Sequence, residues 1–229
     1  MGEYGQFCPV AKAAEVLDER WTLLVVRELV AGSTRFNDIH RGVPRMSRTL
    51  LTKRLRTLVD QGLITRREER QGPVYELTTA GNELAAVVDV IGQWGIRWLS
   101  SLSDEDLDPA LLMWDMHRRV DLGALPPGRT VLAVVLDHAA PQLRNWWLVL
   151  DQHEADVCDY DPGFGTDLTM QASTGTLVRI WRGELGWDDA VRTSRLELRG
   201  PSELRRQVRT WFQLSPFATV SRPEARDAG

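Results

Sequence analysis

Cysteine and histidine are scarce in this sequence. Its 229 residues include 2 cysteines and 4 histidines, and they form no Cys-x-x-Cys pair and no closely spaced histidine set. Two distant cysteines exclude a disulfide-rich framework, and the scattered histidines lack the short spacing of a metal-ligand set. The sequence therefore predicts neither a structural metal nor a cofactor.

Long apolar runs and catalytic motifs are also missing. No stretch is long enough to span a membrane, and no secretion signal opens the chain, so we expect a cytoplasmic protein without membrane contact. There is no Gly-x-Ser-x-Gly turn and no glycine-rich phosphate loop, and Asp156, Asp159 and Asp161 miss the spacing of a calcium loop. These absences argue against an enzyme.

Positive charge is unevenly distributed. The chain has a net charge of -4, yet six Lys or Arg and no acid lie between Arg41 and Arg56. Residues 1–100 carry 14 basic and 12 acidic side chains, whereas residues 101–229 carry 14 and 20. A basic run is either a solvated helix face or a surface for DNA. If DNA binds, we expect it in the first half of the chain.

The basic run coincides with a helical pattern. The stretch from Phe36 to Tyr75 predicts two short helices, a turn, a longer helix over 47–61 and a β-hairpin. One face of the longer helix is apolar and can pack, through Leu51, Leu55, Leu58 and Val59. Ser47 is its natural N-cap, and Arg45 lies just before it. The opposite face carries residues that reach phosphates and base edges, namely Arg48, Thr49, Thr52, Lys53 and Arg56.

The hairpin after this helix has the character of a DNA-gripping wing. Gly62 suits a helix end, and two strands are predicted over 63–69 and 74–77. Arg66, Arg67 and Arg70 make the hairpin basic. Helix and hairpin together predict a winged helix-turn-helix that binds double-stranded operator DNA.

Three segments carry a family resemblance over residues 7–100. They are CPVAKAAEVLDERWTLLVVREL, RFNDIHRGVPRMSRTLLTKRLRTLVDQGLITRR and YELTTAG. In this order they resemble the HxlR-type family of bacterial winged-helix transcriptional regulators, within the MarR-like superfamily. The resemblance implies a DNA-binding regulator, and we expect a repressor. The wing tip, QGPVY, is shorter than the proline-paired tip usual in that family.

The helix expected after the wing, over about 80–99, has an apolar stripe. Its members recur at helical spacing and are Leu84, Val87, Val88, Ile91, Trp94 and Trp98. The stripe packs either within the chain or against a partner. The resemblance implies a homodimer through this helix and the N-terminal one, which presents two reading helices to half-sites roughly 34 Å apart.

The length of the chain suits two domains. Acids cluster in SLSDEDLDPA, residues 101–110, and a new helical run follows. We place the winged domain at 1–102, a linker and connecting helix at 103–128, and a second domain at 129–229.

The sequence predicts an α+β fold for the second domain. TVLAVVLDH, NWWLVLDQ, EADVCDYD and TDLTMQAS predict a meander of antiparallel strands. Helices over about 174–183 and 188–193, the strand RLELRG and a last helix, SELRRQVRTWFQL, follow. Residues 129–215 resemble the sterol-carrier-protein-like fold, which implies a tunnel for apolar molecules.

Six of the nine tryptophans lie in this half, and aromatic side chains either wall an apolar pocket or fill a core. Trp146 and Trp147 point to opposite faces of a strand, and we favour Trp147 for the pocket. The predicted pocket residues for an apolar small-molecule effector are Trp114, Trp147, Met170, Trp181, Trp211 and Phe212.

Two alternatives to the effector hypothesis remain. The second domain is only a dimerisation scaffold, or Cys8 senses oxidants, as in some members of the resembled family. Cys8 precedes Pro9 at a helix start, where a thiolate is stabilised, but cysteine is also a common small buried residue.

Overall fold

Helices and one hairpin form the first part of the chain. The computed structural model describes residues 4–99 and 101–222, and the chain divides between Gly95 and Ile96 into two compact units. The elements before the division are α1 (Pro9–Leu17), α2 (Thr22–Val30), α3 (Phe36–Gly42), α4 (Arg48–Asp60), β1 (Ile64–Glu69) and β2 (Gly72–Leu77). Helix α5 (Thr79–Trp98) runs across it.

The prediction of two short helices between Phe36 and α4 is wrong. The stretch from Phe36 has one short helix, α3, which ends at Gly42. Val43 leaves the helical region with φ -132 and ψ 56, because the proline that follows disfavours a helical residue before it. A turn then leads to α4.

The core of the first unit forms between α2, α3 and α4. The predicted stripe of α4 is confirmed, since Leu51, Leu55 and Leu58 are fully buried. Ser47 is the N-cap, and its hydroxyl accepts a hydrogen bond from the Leu50 N–H at 3.3 Å. Gly62, with φ +68, ends the helix in the left-handed conformation that glycine adopts at low cost.

The second unit is a sheet with helices. Its elements are α6 (Pro109–His117), β3 (Thr130–Asp137), β4 (Asn145–Leu150), β5 (Ala155–Cys158), β6 (Leu168–Ser173), α7 (Thr174–Trp181), α8 (Trp187–Arg192), β7 (Leu196–Arg199) and α9 (Ser202–Gln207). The strand order is β5-β4-β3-β6-β7. The segment 103–128, predicted as linker and connecting helix, contributes Leu112, Met113 and Met116 of α6 to the core of this unit.

The sheet is mixed, so the prediction of an antiparallel sheet is wrong for one pair. Strands β3 and β6 run parallel, with Val134 opposite Met170, whereas the other neighbours are antiparallel. Strand β4 pairs with one edge of β3. The chain after β5 therefore crosses to the other edge of β3, where β6 runs parallel to β3. An alternating pattern identifies a strand but carries no information on this crossing.

Candidate functional site

Helix α4 presents one continuous polar face to solvent. Each of the predicted DNA-contacting residues in and before the helix is exposed: Arg45, Ser47, Arg48, Thr49, Thr52, Lys53 and Arg56. The buried residues of α4 occupy its other side, so the two faces separate as a period of 3.6 requires. Lys53 and Arg56 have no carboxylate partner within residues 4–99 and 101–222. Their charges are therefore available to an external anion.

Helix α3 positions the first arginine of this face. Arg48 Nη2 donates to Asn37 Oδ1 at 2.7 Å, and its guanidinium lies over the Phe36 ring, 4.9 Å from the centroid. His40 Nε2 lies 2.8 Å from the Met46 carbonyl oxygen in the turn between the two helices. These contacts fix the start of α4 relative to α3, the arrangement that a helix-turn-helix requires.

Arg54 has a structural role that the charge pattern did not reveal. Its side chain is buried, it forms an ion pair with Glu19, and it donates to the Arg20 carbonyl at 3.4 Å. Burial lowers the pKa of the Arg54 guanidinium, because the charged form is partly desolvated. Arg54 therefore stabilises the fold, unlike the exposed basic residues of α4. Its position among the buried leucines was the signal available in the sequence.

The wing is a tight hairpin. Glu69 pairs with Gly72, so Arg70 and Gln71 alone form the turn, and β2 begins two residues earlier than expected. Gly72 has φ +101, a conformation that favours glycine. The tip is accordingly short, as its sequence indicates.

The three wing arginines differ in their partners. All three are exposed. Arg66 forms an ion pair with Glu68, and Arg67 Nη2 contacts Glu76 Oε1 at 2.8 Å. The hydrogen bond to Glu76 raises the pKa of the Arg67 guanidinium. Arg70 carries no ion pair in the described part of the chain, so it is the wing cation most available to a phosphate.

A segment before α3 braces the wing, and the sequence pattern gave no sign of it. Arg35 Nη1 donates to the Gly72 carbonyl at 2.8 Å, and Arg35 Nη2 contacts Glu69 Oε2 at 2.7 Å. The Tyr75 N–H donates to the Thr34 carbonyl at 2.9 Å, and Arg35 forms an isolated antiparallel β-bridge with Val74 beside the two-stranded hairpin. The wing thus has a fixed base next to α3.

The apolar stripe of α5 is largely exposed. Trp94 is 53% exposed, Ile91 47% and Trp98 46%, whereas Leu84 and Val88 pack against the core of the first unit. None of the residues of α1 is buried, and Phe7 just before it is fully exposed. Exposed apolar surface of this extent is typical of a protein interface.

The second unit contains an apolar cavity of about 270 Å³. Its lining comes mainly from α7, from the start of α8 and from the chain after α9, and includes Met116, Leu177, Ile180, Trp181, Leu185, Trp187, Phe212 and Leu214. Two of the predicted pocket residues, Trp181 and Phe212, are among them. Trp187, Leu177 and Ile180 were missed, because their spacing equals that of ordinary core residues.

The other predicted pocket residues lie elsewhere. Met170 and Trp211 are fully buried in the hydrophobic core, and Trp114 is buried with its ring against His117, 4.7 Å between centroids. Trp147, which we favoured for the pocket, does not lie on the face of the sheet that the helices cover. Trp146 points into the core on that face, so Trp147, next in the strand, lies on the opposite face.

A metal-ligand cluster and a membrane-spanning helix are both absent from the part of the chain that the structure describes. Residues 4–99 and 101–222 hold no group of three or more metal-ligating side chains. No helix within the same ranges is long and apolar enough to cross a membrane. Cys8 is a half-buried thiol at the N-cap of α1, Cys158 is buried, and the structure places no disulfide between them.

Comparison with known proteins gives the following similarities. Residues 16–103 match the family described as HxlR-like helix-turn-helix. YvaP of Bacillus subtilis, an HTH-type transcriptional regulator, is 35% identical over 98 residues, which cover 41% of this chain and 91% of YvaP. An HTH-type transcriptional regulator of Mycobacterium tuberculosis is 42% identical over 95 residues, 39% of this chain and 58% of the relative. The structure of reduced YodB from B. subtilis has 28% identity and a TM-score of 0.36, over 41% of this chain and 95% of YodB.

Proposed function

Because the chain belongs to the HxlR-like helix-turn-helix family of DNA-binding transcriptional regulators, we propose that it is a homodimeric repressor with an apolar effector. The observation that carries the proposal is the exposed face of α4, where Lys53 and Arg56 have no ion pair among the described residues. In this proposal α4 enters the major groove of operator DNA, and the basic wing grips the backbone beside it.

The proposed contacts have different tasks. Lys53 and Arg56 lie on the exposed face of α4 without ion pairs among the described residues, so they reach base edges or phosphates. Thr49 and Thr52 contact bases or phosphates through their hydroxyls, and Ser47 and Arg45 lie where the chain approaches the backbone. Arg66, Arg67 and Arg70 supply the wing, with Arg70 at the tip as the strongest phosphate contact.

The exposed stripe of α5 and the surface of α1 support the homodimer. A two-fold dimer buries both surfaces and presents two copies of α4 to half-sites about one helical turn, roughly 34 Å, apart. The operator is then an inverted repeat with that spacing between its half-sites.

We assign the effector to the second unit, in a sterol-carrier-protein-like domain. The support is the apolar cavity between its helices, with Trp181 and Phe212 in the wall. A ligand regulates DNA binding only if it prefers one dimer geometry, since equal affinity for both changes nothing. Effector binding therefore changes operator affinity by no more than the ratio of its two affinities.

The experiment that tests the regulator is selection of DNA fragments by the purified full-length protein from a random library. We expect an inverted repeat with half-sites one turn apart. Enrichment of a single unrepeated site would contradict the dimer, and no enrichment over bulk DNA would contradict sequence-specific binding. Native mass spectrometry of protein from its own host, before and after organic extraction, tests the effector. An extractable adduct is expected.

Two alternatives give different results in the same assays. A ligand-free scaffold keeps operator binding but shows no adduct and no response to apolar compounds. Oxidant sensing through Cys8 predicts loss of DNA binding with peroxide in the wild type and none in Cys8→Ser. The proposal expects the two proteins to respond alike.

A further inference from the structure

An open groove lies next to the apolar cavity of the second unit. The groove has a volume of about 630 Å³ and is lined by α8, β7, α9 and the turn after it. Trp187 and Arg209 line the groove and the cavity alike. The two spaces are therefore neighbours across these two side chains.

The groove is basic although its unit is acidic. Residues 101–229 carry 14 basic and 20 acidic side chains. The charged lining of the groove consists of four arginines and two acids, namely Arg199, Arg205, Arg206, Arg209, Asp188 and Glu197. Arginine clusters favour carboxylate, phosphate or sulfate groups, because the planar guanidinium offers paired N–H donors. The groove is suited to an anionic group.

The four arginines of the groove are exposed, although Arg199 pairs with Glu197 and Arg206 with Glu203. Arg209 Nη1 contacts the two carboxylate oxygens of Asp188 at 2.9 and 3.1 Å, but both side chains are exposed. Exposed ion pairs of this kind are weak and exchange readily. Arg205 has no carboxylate partner within residues 101–222. An incoming anion can therefore bind Arg205 and Arg209 without breaking a buried interaction.

The cavity complements the groove by being apolar and small. Its wall consists mostly of aliphatic and aromatic side chains, and Arg209 stands at the side shared with the groove. Its volume of about 270 Å³ lies near the lower end of small-molecule pockets, which begin at roughly 300 Å³. This size suits an aliphatic chain of medium length better than a fused ring system.

We propose that the second unit binds a medium-chain aliphatic carboxylate, with its chain in the cavity and its carboxylate at Arg205 and Arg209. Trp187 lies along the chain where it passes from one space to the other. This inference rests on the proposed effector function and names the chemical class of the effector.

Calorimetric titration of the full-length protein tests the site with three probes: decanoate, 1-decanol and acetate. Decanol has the chain without the charge, and acetate has the charge with almost no chain. We expect decanoate to bind about tenfold tighter than decanol, and acetate not to bind. Arg209→Gln should weaken decanoate by roughly threefold to tenfold and leave decanol unchanged, since it removes one partly exposed charged hydrogen-bond donor. Arg192→Gln is the matched control, because Arg192 lies on α8 outside the groove and pairs with Asp189.

The outcomes distinguish failure of the anion site from failure of the effector proposal. Equal affinity for decanoate and decanol, or equal decanoate affinity in Arg209→Gln and Arg192→Gln, would overturn the anion site and leave an apolar effector in place. Binding of neither compound would overturn this inference, whereas the effector proposal would be overturned only if protein from its own host also yielded no extractable adduct. Operator binding by the unliganded protein is measured separately and does not depend on either result.

Discussion

The carboxylate of Glu28 is completely buried against Gly42, so a Cβ built at Gly42 would overlap it. Arg27 joins the two residues, since its Nη2 donates to Glu28 Oε1 at 2.8 Å and to the Gly42 carbonyl at 2.7 Å. The end of α3 is thereby fastened to α2. Because the turn into α4 begins at this point, the contact sets the position of the proposed reading helix.

Gly42→Ala should therefore lower the free energy of unfolding by about 1–3 kcal/mol, the usual cost of overpacking a buried site. Urea denaturation followed by circular dichroism measures the change. Gly123→Ala is the control, because a Cβ at Gly123 meets only ordinary contact, 3.4 Å from Asp121 Oδ1. Equal stability of the two variants would mean that Glu28 moves aside at no cost.

Arg54 and Arg56 are two residues apart on α4 but should affect stability differently. Arg54→Ala leaves the partly exposed Glu19 without its partner, and we expect a loss of about 1–3 kcal/mol in the free energy of unfolding, the usual cost of an unsatisfied hydrogen-bonding group. Arg56→Ala changes an exposed side chain and should stay within about 0.5 kcal/mol of the wild type. Thermal or urea unfolding of both variants measures the two changes in the free energy of unfolding. A loss at Arg56 as large as at Arg54 would contradict the division of α4 into two faces.

Much of the first unit was predictable because its signals are local. The periodicity of Leu51, Leu55 and Leu58, the N-cap at Ser47 and the helix end at Gly62 each depend on a few neighbouring residues. The brace of Arg35 on the wing and the burial of Arg54 depend on partners 34 or more positions away along the chain. No local pattern contains those contacts.

In the second unit the strands were predictable and their arrangement was not. The alternation in β3 and β4 marks strands, but the parallel pairing of β3 with β6 follows from which edge was free. Which of Trp146 and Trp147 faces the helices also depends on the register of the whole sheet, since a shift of one residue reverses both. The cavity wall combines residues of α7 with the chain beyond α9, so it required three-dimensional packing.

Trp94 tests the proposed dimer surface. Trp94→Glu places a charge on the exposed apolar stripe of α5, and we expect the dimer to dissociate at least tenfold more readily, as for a central aromatic interface residue. Sedimentation velocity over a range of concentrations measures the change. Asp89→Asn, an exposed change on the side of the same helix away from Trp94, should sediment like the wild type. A Trp94→Glu dimer of unchanged affinity would remove α5 from the interface.

The two adjacent tryptophans of β4 should differ in their contribution to stability. Trp146 is buried in the core, and its Nε1 donates to the Leu143 carbonyl at 2.8 Å. Trp146→Ala should cost about 3–5 kcal/mol, as expected for a large buried aromatic residue. Trp147 is only half-buried on the other face, so Trp147→Ala should cost clearly less. Chemical denaturation of the two variants measures these losses of stability. A larger loss for Trp147→Ala than for Trp146→Ala would contradict the assignment of the sheet faces.

The dependence of operator affinity on salt concentration in Arg56→Ala tests the central claim most directly. If α4 reads DNA, the variant binds the selected operator more weakly by roughly 1–3 kcal/mol with relaxed sequence preference when Arg56 contacts a base. When Arg56 contacts a phosphate, binding weakens evenly and the slope against salt falls by about 1. Arg192→Ala, an exposed arginine of the second unit, should match the wild type. Wild-type affinity and slope in Arg56→Ala would contradict the assignment of α4 as the reading helix.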